Sequence, residues 1–179
     1  MKIIIAGAGE VGFHLAKLLS YESQEITLID NDKESLAYAD NHLDIKVIKG
    51  DATSISALKD ARILNSDLFI SVTSSETSNI TSCVLAKQLG ARRTIARISN
   101  PEFINHKEEV GFTQFGIDEL ISPESLAASE IELLLSKSVF NDSYEFEDGA
   151  LTMLGLSLSN DAKIINKSVK VAAQLLSDI

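Results

Sequence analysis

The sequence has few of the features that mark secreted, membrane-spanning or disulfide-stabilised proteins. Its 179 residues include a single cysteine, Cys83, which excludes an internal disulfide and fits a reducing compartment. No uninterrupted apolar run approaches the roughly 20 residues that a membrane-spanning helix needs. The N-terminus shows no signal-peptide pattern, because Lys2 leads directly into a β-branched run. We therefore expect a cytoplasmic globular protein in which Cys83 is a small core residue.

Positive charge is also scarce. The 16 Lys and Arg residues face 26 acidic residues, and the formal net charge is −10. Such an acidic surface repels the phosphates of nucleic acids and of anionic lipids, so direct binding to either is not expected. Any association with a membrane is then expected to pass through another protein. A site for an anionic ligand must be locally positive in such a molecule.

The side-chain patterns of common catalytic and metal sites are missing. A short-chain dehydrogenase needs Tyr-x-x-x-Lys, but the residues four positions after the three tyrosines are Glu25, His42 and Asp148. The histidines show no telling spacing and are interpreted as surface residues. No His/Cys/Asp cluster has the spacing of metal ligands. These absences argue against an enzyme and a metal site, with a small NAD-dependent dehydrogenase kept as an alternative.

The N-terminal segment has the pattern of a dinucleotide-binding turn. The apolar run at residues 3–5 predicts a buried strand, and apolar spacing after residue 10 predicts a helix. Between them lies G-x-G-x-x-G. Gly7 would allow the tight turn, Gly9 the approach of a pyrophosphate, and Gly12 close packing of helix on strand. The N–H groups and dipole of the first helical turn would then face the negative charge of a ligand.

An acidic residue stands where this motif requires one. A second predicted strand, residues 26–29, ends at Asp30, about 20 residues beyond the glycine turn. A carboxylate there can accept hydrogen bonds from ribose hydroxyls and disfavours a 2′-phosphate. We therefore expect NAD or a plain adenine nucleotide in preference to NADP. The alternative is that Asp30 merely caps the next helix, predicted over residues 32–40.

Polar segments follow the third and fourth predicted strands, residues 45–48 and 68–72. Asp51 or Thr53 could contact the adenine, or the same loop could be a turn and N-cap for a helix over residues 55–61. The hydroxyl-rich segment 73–79 would lie at the carboxyl ends of the strands, where such sheets bind ligands. Its alternative role is multiple N-capping of the helix predicted to begin at Asn79.

A fifth predicted strand, residues 94–98, contains Arg97. Positions in a central parallel strand are mostly buried and apolar, so a charged side chain there needs an anionic partner. A phosphate suits a guanidinium well, because the two form paired hydrogen bonds. The alternative partner is Glu102 or another acid of the chain.

The alternation of strands and helices predicts an α/β fold, a Rossmann-like doubly wound parallel sheet with helices on both faces. We assign residues 1–138 to this nucleotide-binding domain, including a helix over residues 124–137 that continues past the sheet. Residues 139–179 show a β-β-α pattern too short for an independent core. We expect them to be an incomplete α+β appendage, the start of a second domain.

These motifs together resemble the N-terminal domain of TrkA-type regulatory subunits of bacterial potassium uptake systems (the KTN or RCK domain). The resemblance rests on M-K-I-I-I-A-G-A-G-E-V-G, L-I-D-N-D, K-G-D-A-T-S, V-T-S-S-E-T-S-N and I-A-R-I-S-N-P. It runs from residue 1 to about residue 137. The remainder resembles the start of the C-terminal RCK domain. Ser99 stands where many relatives carry a second basic residue, so the resemblance does not imply preference for a triphosphate.

The resemblance implies regulation rather than catalysis. Such subunits form dimers that build a tetrameric cytoplasmic ring beneath an integral membrane K⁺ transporter, and NAD(H), ATP and ADP compete for the Rossmann cleft. The same domain also serves K⁺ channels and antiporters, which remain alternatives. The residues expected to bind the nucleotide are Gly7, Ala8, Gly9, Glu10, Val11, Gly12, Asp30, Asn31, Asp32, Asp51, Ala52, Thr53, Thr73, Ser74, Asn79 and Arg97.

Overall fold

The computed structural model describes residues 1–136, 142–146, 151–155, 157–158, 160 and 162–176. The chain divides into two compact units, Met1–Ala127 and Ala128–Ile179. The predicted nucleotide-binding residues all belong to the first unit.

The first unit is built on a six-stranded parallel sheet. Its strand order is β3-β2-β1-β4-β5-β6, so the winding direction reverses between β1 and β4. This order confirms the predicted Rossmann-like doubly wound fold. The strands are β1 (Lys2–Ala6), β2 (Glu25–Asp30), β3 (Lys46–Lys49), β4 (Leu68–Ser71), β5 (Arg93–Arg97) and β6 (Glu119–Ile121).

Helices follow the strands in turn and cover both faces of the sheet. The longest three, α1, α4 and α7, each begin after a strand whose carboxyl end faces the predicted ligand edge. The helices are α1 (Glu10–Tyr21), α2 (Lys33–His42), α3 (Ile55–Asp60), α4 (Glu76–Gln88), α5 (Pro101–Asn105), α6 (Lys107–Val110) and α7 (Pro123–Ser136), of which α7 passes into the second unit at Ala128. Two 3₁₀ turns, Ile63–Asn65 and Phe112–Phe115, complete the unit.

The core consists of two apolar layers, one on each face of the sheet. Ile5 and Leu28 lie in the layer beneath α1 and α2, whereas Ile29 and Phe69 lie in the layer beneath α3 and α4. These side chains are fully buried, since neighbouring residues of a strand point to opposite faces and both faces are covered. The continuous apolar runs read in the sequence therefore reflect burial on both sides.

The segment between β5 and β6 contains two short helices and a 3₁₀ turn, and Gly111 and Gly116 adopt the left-handed conformation that ends α6 and the 3₁₀ turn. One helix differs from the sequence-based expectation. Helix α4 begins at Glu76, three residues before the predicted start. The Ser75 side chain accepts a hydrogen bond from the Ser78 N–H and so caps the helix there.

The second unit contains the antiparallel pair β7 (Asp142–Phe146) and β8 (Leu151–Gly155), followed by α8 (Val169–Leu176). These elements follow the β-β-α order expected from the sequence. The predicted boundary at residues 138 and 139 and the predicted end of α7 at Lys137 lie outside the described residues. That residues 139–179 begin a separate domain stays a prediction. Within the described segments, no helix combines the length and the apolar character needed to cross a membrane.

Cys83 is expected to be inert in the folded protein. Burial raises the pKa of its thiol to about 12, so the reactive thiolate is scarce near neutral pH. A thiol-reactive dye at pH 8 should label the native protein only after opening, and should label one thiol per chain in guanidinium. Because the folded-state pKa is raised, the stability that this thiol contributes is lost as the pH rises past its ordinary value of 9.0 towards 12. Complete labelling of the native chain within the mixing time would contradict this burial.

Candidate functional site

A cleft of about 510 Å³ opens at the carboxyl ends of strands β1 to β5. This is the edge of a doubly wound sheet at which ligands bind. The sheet order places the loops after β1 and β4 at the centre of the cleft, and the loops after β2 and β5 on either side of it. It is lined by Gly7, Gly9, Glu10, Val11, Ile29, Asp30, Asn31, Ser35, Gly50, Asp51, Ala52, Val72, Thr73, Ser74, Ser75, Ser78 and Arg97.

The glycine turn between β1 and α1 is compact on its inner side and open towards the cleft. Gly7 has φ +106°, and a Cβ there would lie 2.9 Å from the Thr73 nitrogen. A Cβ on Gly12 would lie 1.8 Å from the carbonyl oxygen of Gly7. Gly9 is different, since a Cβ there would meet no atom within 4 Å. Two of these glycines are therefore needed by the fold, and Gly9 leaves space at the cleft.

Helix α1 reaches the cleft with its first turn uncapped. Its N-cap residue is Gly9, which offers no side-chain acceptor. By contrast, α2, α3, α4 and α5 are capped by the side chains of Asp32, Ser54, Ser75 and Asn100. The unpaired N–H groups and positive dipole end of α1 therefore remain available to an anion.

Asp30 connects the turns that follow β1 and β2. Its Oδ2 accepts a hydrogen bond from the Ala8 N–H at 2.5 Å, and its Oδ1 accepts one from the Asp32 N–H at 2.8 Å. The cap of α2 is Asp32, whose carboxylate accepts from the Glu34 and Ser35 N–H groups. Capping of α2, the alternative role considered for Asp30, is thus performed by Asp32. The pKa of Asp32 is lowered from its ordinary value, chiefly by the hydrogen bond that the Ser35 hydroxyl donates to it.

The loop after β3 lies at the cleft and also forms a hydrogen-bonded turn. Asp51 lines the cleft, and its Oδ1 accepts hydrogen bonds from the Thr53 hydroxyl and N–H at 2.7 Å each. The pKa of Asp51 is lowered from its ordinary value, chiefly by the hydrogen bond from the Thr53 hydroxyl. The helix cap is Ser54 rather than either of these residues. Asp51 and Ala52 face the cleft, whereas Thr53 holds the turn.

Asn79 lies beneath the cleft rather than on its surface, with 1% of its area exposed. Its Oδ1 accepts from the Thr73 N–H and hydroxyl and from the Ser71 hydroxyl. Its Nδ2 donates to the carbonyl oxygens of Thr73 and Arg97. Asn79 therefore ties the end of β5 to the loop after β4, while Ser74, Ser75 and Ser78 supply polar atoms to the cleft.

Arg97 lines the cleft and is ion-paired within the chain. Its Nη2 donates to Oε1 of Glu124 at 2.7 Å. The partner is thus an acid other than Glu102, the one named from the sequence. The pKa of Glu124 is lowered from its ordinary value, chiefly by the hydrogen bond that Arg97 donates to it.

Most of the residues expected to bind a nucleotide do line this cleft, and the others do not. Ala8, Gly12, Asp32, Thr53 and Asn79 are absent from the lining and act in the turns and caps described above. Sequence reasoning missed several residues that face the cleft. Their signal was weak because they lie beside the motif residues, on the same loops or one helical turn away. They are Ile29, Ser35, Gly50 and Val72, whereas Ser75 and Ser78 belong to the segment 73–79 that was expected at this edge without being named individually.

A smaller depression of about 180 Å³ lies at the opposite edge of the sheet, around Lys2, Lys46 and Arg62. This edge faces the carboxyl ends of the helices, and Lys46 donates to the carbonyl oxygen of Asp60 at the end of α3. Lys46 thus complements the carboxyl end of α3, and Lys2 forms an ion pair with Glu25 at 3.8 Å. The cleft at the other edge, which most of the predicted nucleotide-binding residues line, is the candidate site.

Comparison with known proteins assigns the family. The TrkA-N domain matches residues 3–123, which contain all residues that line the cleft and all of the six-stranded sheet except Lys2. The chain belongs to the TrkA-N family. This confirms the resemblance found in the sequence, while the predicted start of a C-terminal RCK domain stays a prediction.

Relatives of this TrkA-N chain carry the name of a potassium uptake system. A Trk system potassium uptake protein TrkA homolog of Methanothermobacter thermautotrophicus is 36% identical over 169 residues, 94% of this chain and 76% of the relative. The Trk system potassium uptake protein trkA homolog 1 of Methanosarcina mazei is 36% identical over 178 residues, 95% of this chain. The chain spans 43% of that second relative.

Solved structures with the same fold include ligand-bound proteins. The crystal structure of GsuK bound to ADP has a TM-score of 0.62 and 25% identity, covering 76% of this chain and 34% of that one. The GsuK channel bound to NAD has a TM-score of 0.56 and 18% identity, covering 67% and 21%. The second likeness shows the fold alone.

Proposed function

We propose that this TrkA-N domain binds NAD(H), ATP or ADP in the cleft and serves as a regulatory, non-catalytic part of a potassium uptake system. The observation that carries the ligand is the uncapped first turn of α1 at an open Gly9, with the Asp30 carboxylate on the neighbouring strand. The names of the relatives support the system, and the ADP complex of GsuK supports an adenine nucleotide as ligand.

Each part of the cleft has a defined task in this proposal. The N–H groups of α1 receive the phosphates at Gly9, where no side chain stands in the way. The Asp30 carboxylate accepts ribose hydroxyls, and its two existing hydrogen bonds fix its position beforehand. The loop of Asp51 and Ala52 lies on the β3 side of Asp30 and forms the wall for the adenine.

Regulation requires that ligands differ in their preference for two shapes of the protein. Only a difference in affinity between two conformations can shift their populations, so equally tight binding to both would change nothing. We propose that these conformations are read by an integral membrane K⁺ transporter at the cytoplasmic face of the membrane. The domain would act there as a homo-oligomer, a dimer that builds a tetrameric ring.

Calorimetric titration with NADH, NAD, ADP, ATP and NADPH tests the ligand. We expect NADH and an adenine nucleotide to compete for one site without turnover. Asp30→Asn removes a charged acceptor of two ribose hydrogen bonds and should weaken NADH binding by about tenfold or more. The same change should reduce the discrimination against NADPH, an effect that general loosening of the fold would not produce. Asp40→Asn is the matched control, because Asp40 is exposed on α2 and outside the cleft.

Two outcomes would contradict the proposal. One is that a well-folded chain binds none of these nucleotides. The other is oxidation of NADH by an added small carbonyl compound, which would favour the dehydrogenase alternative.

A further inference from the structure

Arg97 stands between the cleft and the first turn of α7. Its side chain lines the cleft, yet its Nη2 donates to Glu124 Oε1 at 2.7 Å. Glu124 is not among the lining residues and lies directly after Pro123, at the start of α7. The guanidinium therefore has an anionic partner on one side and the candidate ligand space on the other.

The contact with Glu124 leaves Arg97 incompletely satisfied. Its Nε is buried and finds no hydrogen-bond partner among the described residues. An unpaired buried N–H is costly, and a guanidinium has five donors to satisfy. The Glu124 side chain is 51% exposed, so water weakens its attraction for the cation. An anion in the cleft can therefore compete for Arg97. Movement of the guanidinium towards that anion would allow Nε to leave its buried position and find a hydrogen-bond partner.

The sheet order limits which ligands can reach Arg97. Asp30 ends β2 and Arg97 ends β5, three strand spacings apart in the order β2-β1-β4-β5. At about 4.8 Å per spacing, the two strand ends are separated by about 14 Å. A nucleoside held by its ribose at Asp30 needs more than one phosphate to cover that distance. A polyphosphate chain extends in that direction.

The charges in the cleft make this contact decisive. Its lining includes the carboxylates of Glu10, Asp30 and Asp51, and Arg97 is the one cation among the described residues that line it. A terminal phosphate that reaches β5 has little other positive charge to meet there. The affinity for the terminal phosphate thus depends on how strongly Glu124 holds Arg97.

We propose that Glu124 competes with the terminal phosphate of a bound nucleotide for Arg97, so that the ion pair selects against long polyphosphates and reports their binding to α7. This inference rests on the proposed function, because it requires a nucleotide in the cleft. Short nucleotides bind without disturbing the ion pair. Nucleotides that reach Arg97 break it and free the first turn of α7, the helix whose remaining turns belong to the second compact unit.

Titration of AMP and ATP against the whole chain and its Glu124→Gln variant tests the competition. The variant should bind ATP about threefold to fivefold more tightly and AMP as before, as expected for loss of a partly exposed ion pair. Glu130→Gln is the matched control, since it removes the same charge from an exposed position of α7. In an Arg97→Gln background, Glu124→Gln should leave the ATP-to-AMP affinity ratio unchanged.

The outcomes separate the competition from the proposed function. Binding of both nucleotides with the same affinity ratio in the chain and in Glu124→Gln would overturn the competition alone. An equal gain with Glu130→Gln, or a gain that persists in the Arg97→Gln background, would also overturn it, because the effect would then be one of net charge. Failure of AMP and ATP to bind any of the folded proteins would overturn the competition, and failure of ADP, NAD and NADH to bind as well would overturn the proposed function.

Discussion

Gly12→Ala is expected to destabilise the protein by about 3 kcal/mol or more, a large part of the stability of a domain of this size. The added Cβ would lie 1.8 Å from the Gly7 carbonyl oxygen and 3.3 Å from a methyl carbon of Val72. Alanine is favoured over glycine inside a helix by about 1 kcal/mol. The clash outweighs that gain, since its nearest neighbour is backbone at the β1–α1 turn and cannot rotate away. The melting temperature should fall by on the order of 10 °C or more.

Gly9→Ala is the matched control on the same turn. Gly9 has extended backbone angles, φ −66° and ψ −170°, and its added Cβ would meet no atom within 4 Å. The melting temperature should therefore stay the same or rise slightly. Nucleotide affinity should fall by about tenfold or more, equivalent to 1.4 kcal/mol, because a methyl group would stand where the backbone must approach phosphates. A Gly12→Ala protein with unchanged melting temperature would contradict the packing described here, and unchanged affinity in Gly9→Ala would contradict the placement of the phosphates.

The sheet and the glycine turn were predictable because their causes are local. The β-branched run before Gly7 forms a strand buried on both faces, and the glycine spacing follows from contacts within one β-α unit. The alternation of strands and helices predicted the doubly wound parallel sheet, whereas the strand order itself comes from the structure. The broad location of the cleft came with the fold.

The roles of individual polar side chains were less predictable, because they depend on contacts distant in the sequence. Arg97 was expected to need an anion, but its partner Glu124 lies 27 positions away in the sequence. Glu76 gave no signal at all, yet its Oε2 accepts hydrogen bonds from the Ser99 and Asn100 N–H groups. It thereby joins the start of α4 to the loop after β5. Ser99, noted only for lacking a basic side chain, contributes to this contact through its backbone.

Capping residues and ligand residues are hard to distinguish in the sequence for a physical reason. The same Asp, Asn, Ser and Thr side chains that cap helices also contact nucleotides, and both tasks lie at the carboxyl ends of parallel strands. Asp30 and Asp32 illustrate this overlap, since one lines the cleft and the other caps α2. Only the backbone angles and hydrogen-bond partners separate them.

Asn79→Ala is expected to lower the melting temperature by on the order of 10 °C, through loss of about 3 kcal/mol. The substitution removes the acceptor of the Thr73 N–H and the donor to the carbonyl oxygens of Thr73 and Arg97. These groups lie under the cleft, where a buried polar group without a partner costs about 1–3 kcal/mol. Nucleotide affinity should fall as a consequence, because the Thr73 loop and the end of β5 lose their common anchor.

Ser78→Ala provides the comparison that identifies Asn79 as a positioning residue. Ser78 precedes it on α4 and lines the cleft, and its side chain caps nothing. Its loss should leave the melting temperature nearly unchanged, since surface substitutions usually alter stability by less than about 0.5 kcal/mol. If Asn79→Ala instead kept its melting temperature and lost only nucleotide binding, Asn79 would have to contact the ligand directly. The buried hydrogen bonds predict instead that Asn79→Ala lowers the melting temperature. Affinity then falls as a consequence, because the loop and strand are no longer held together.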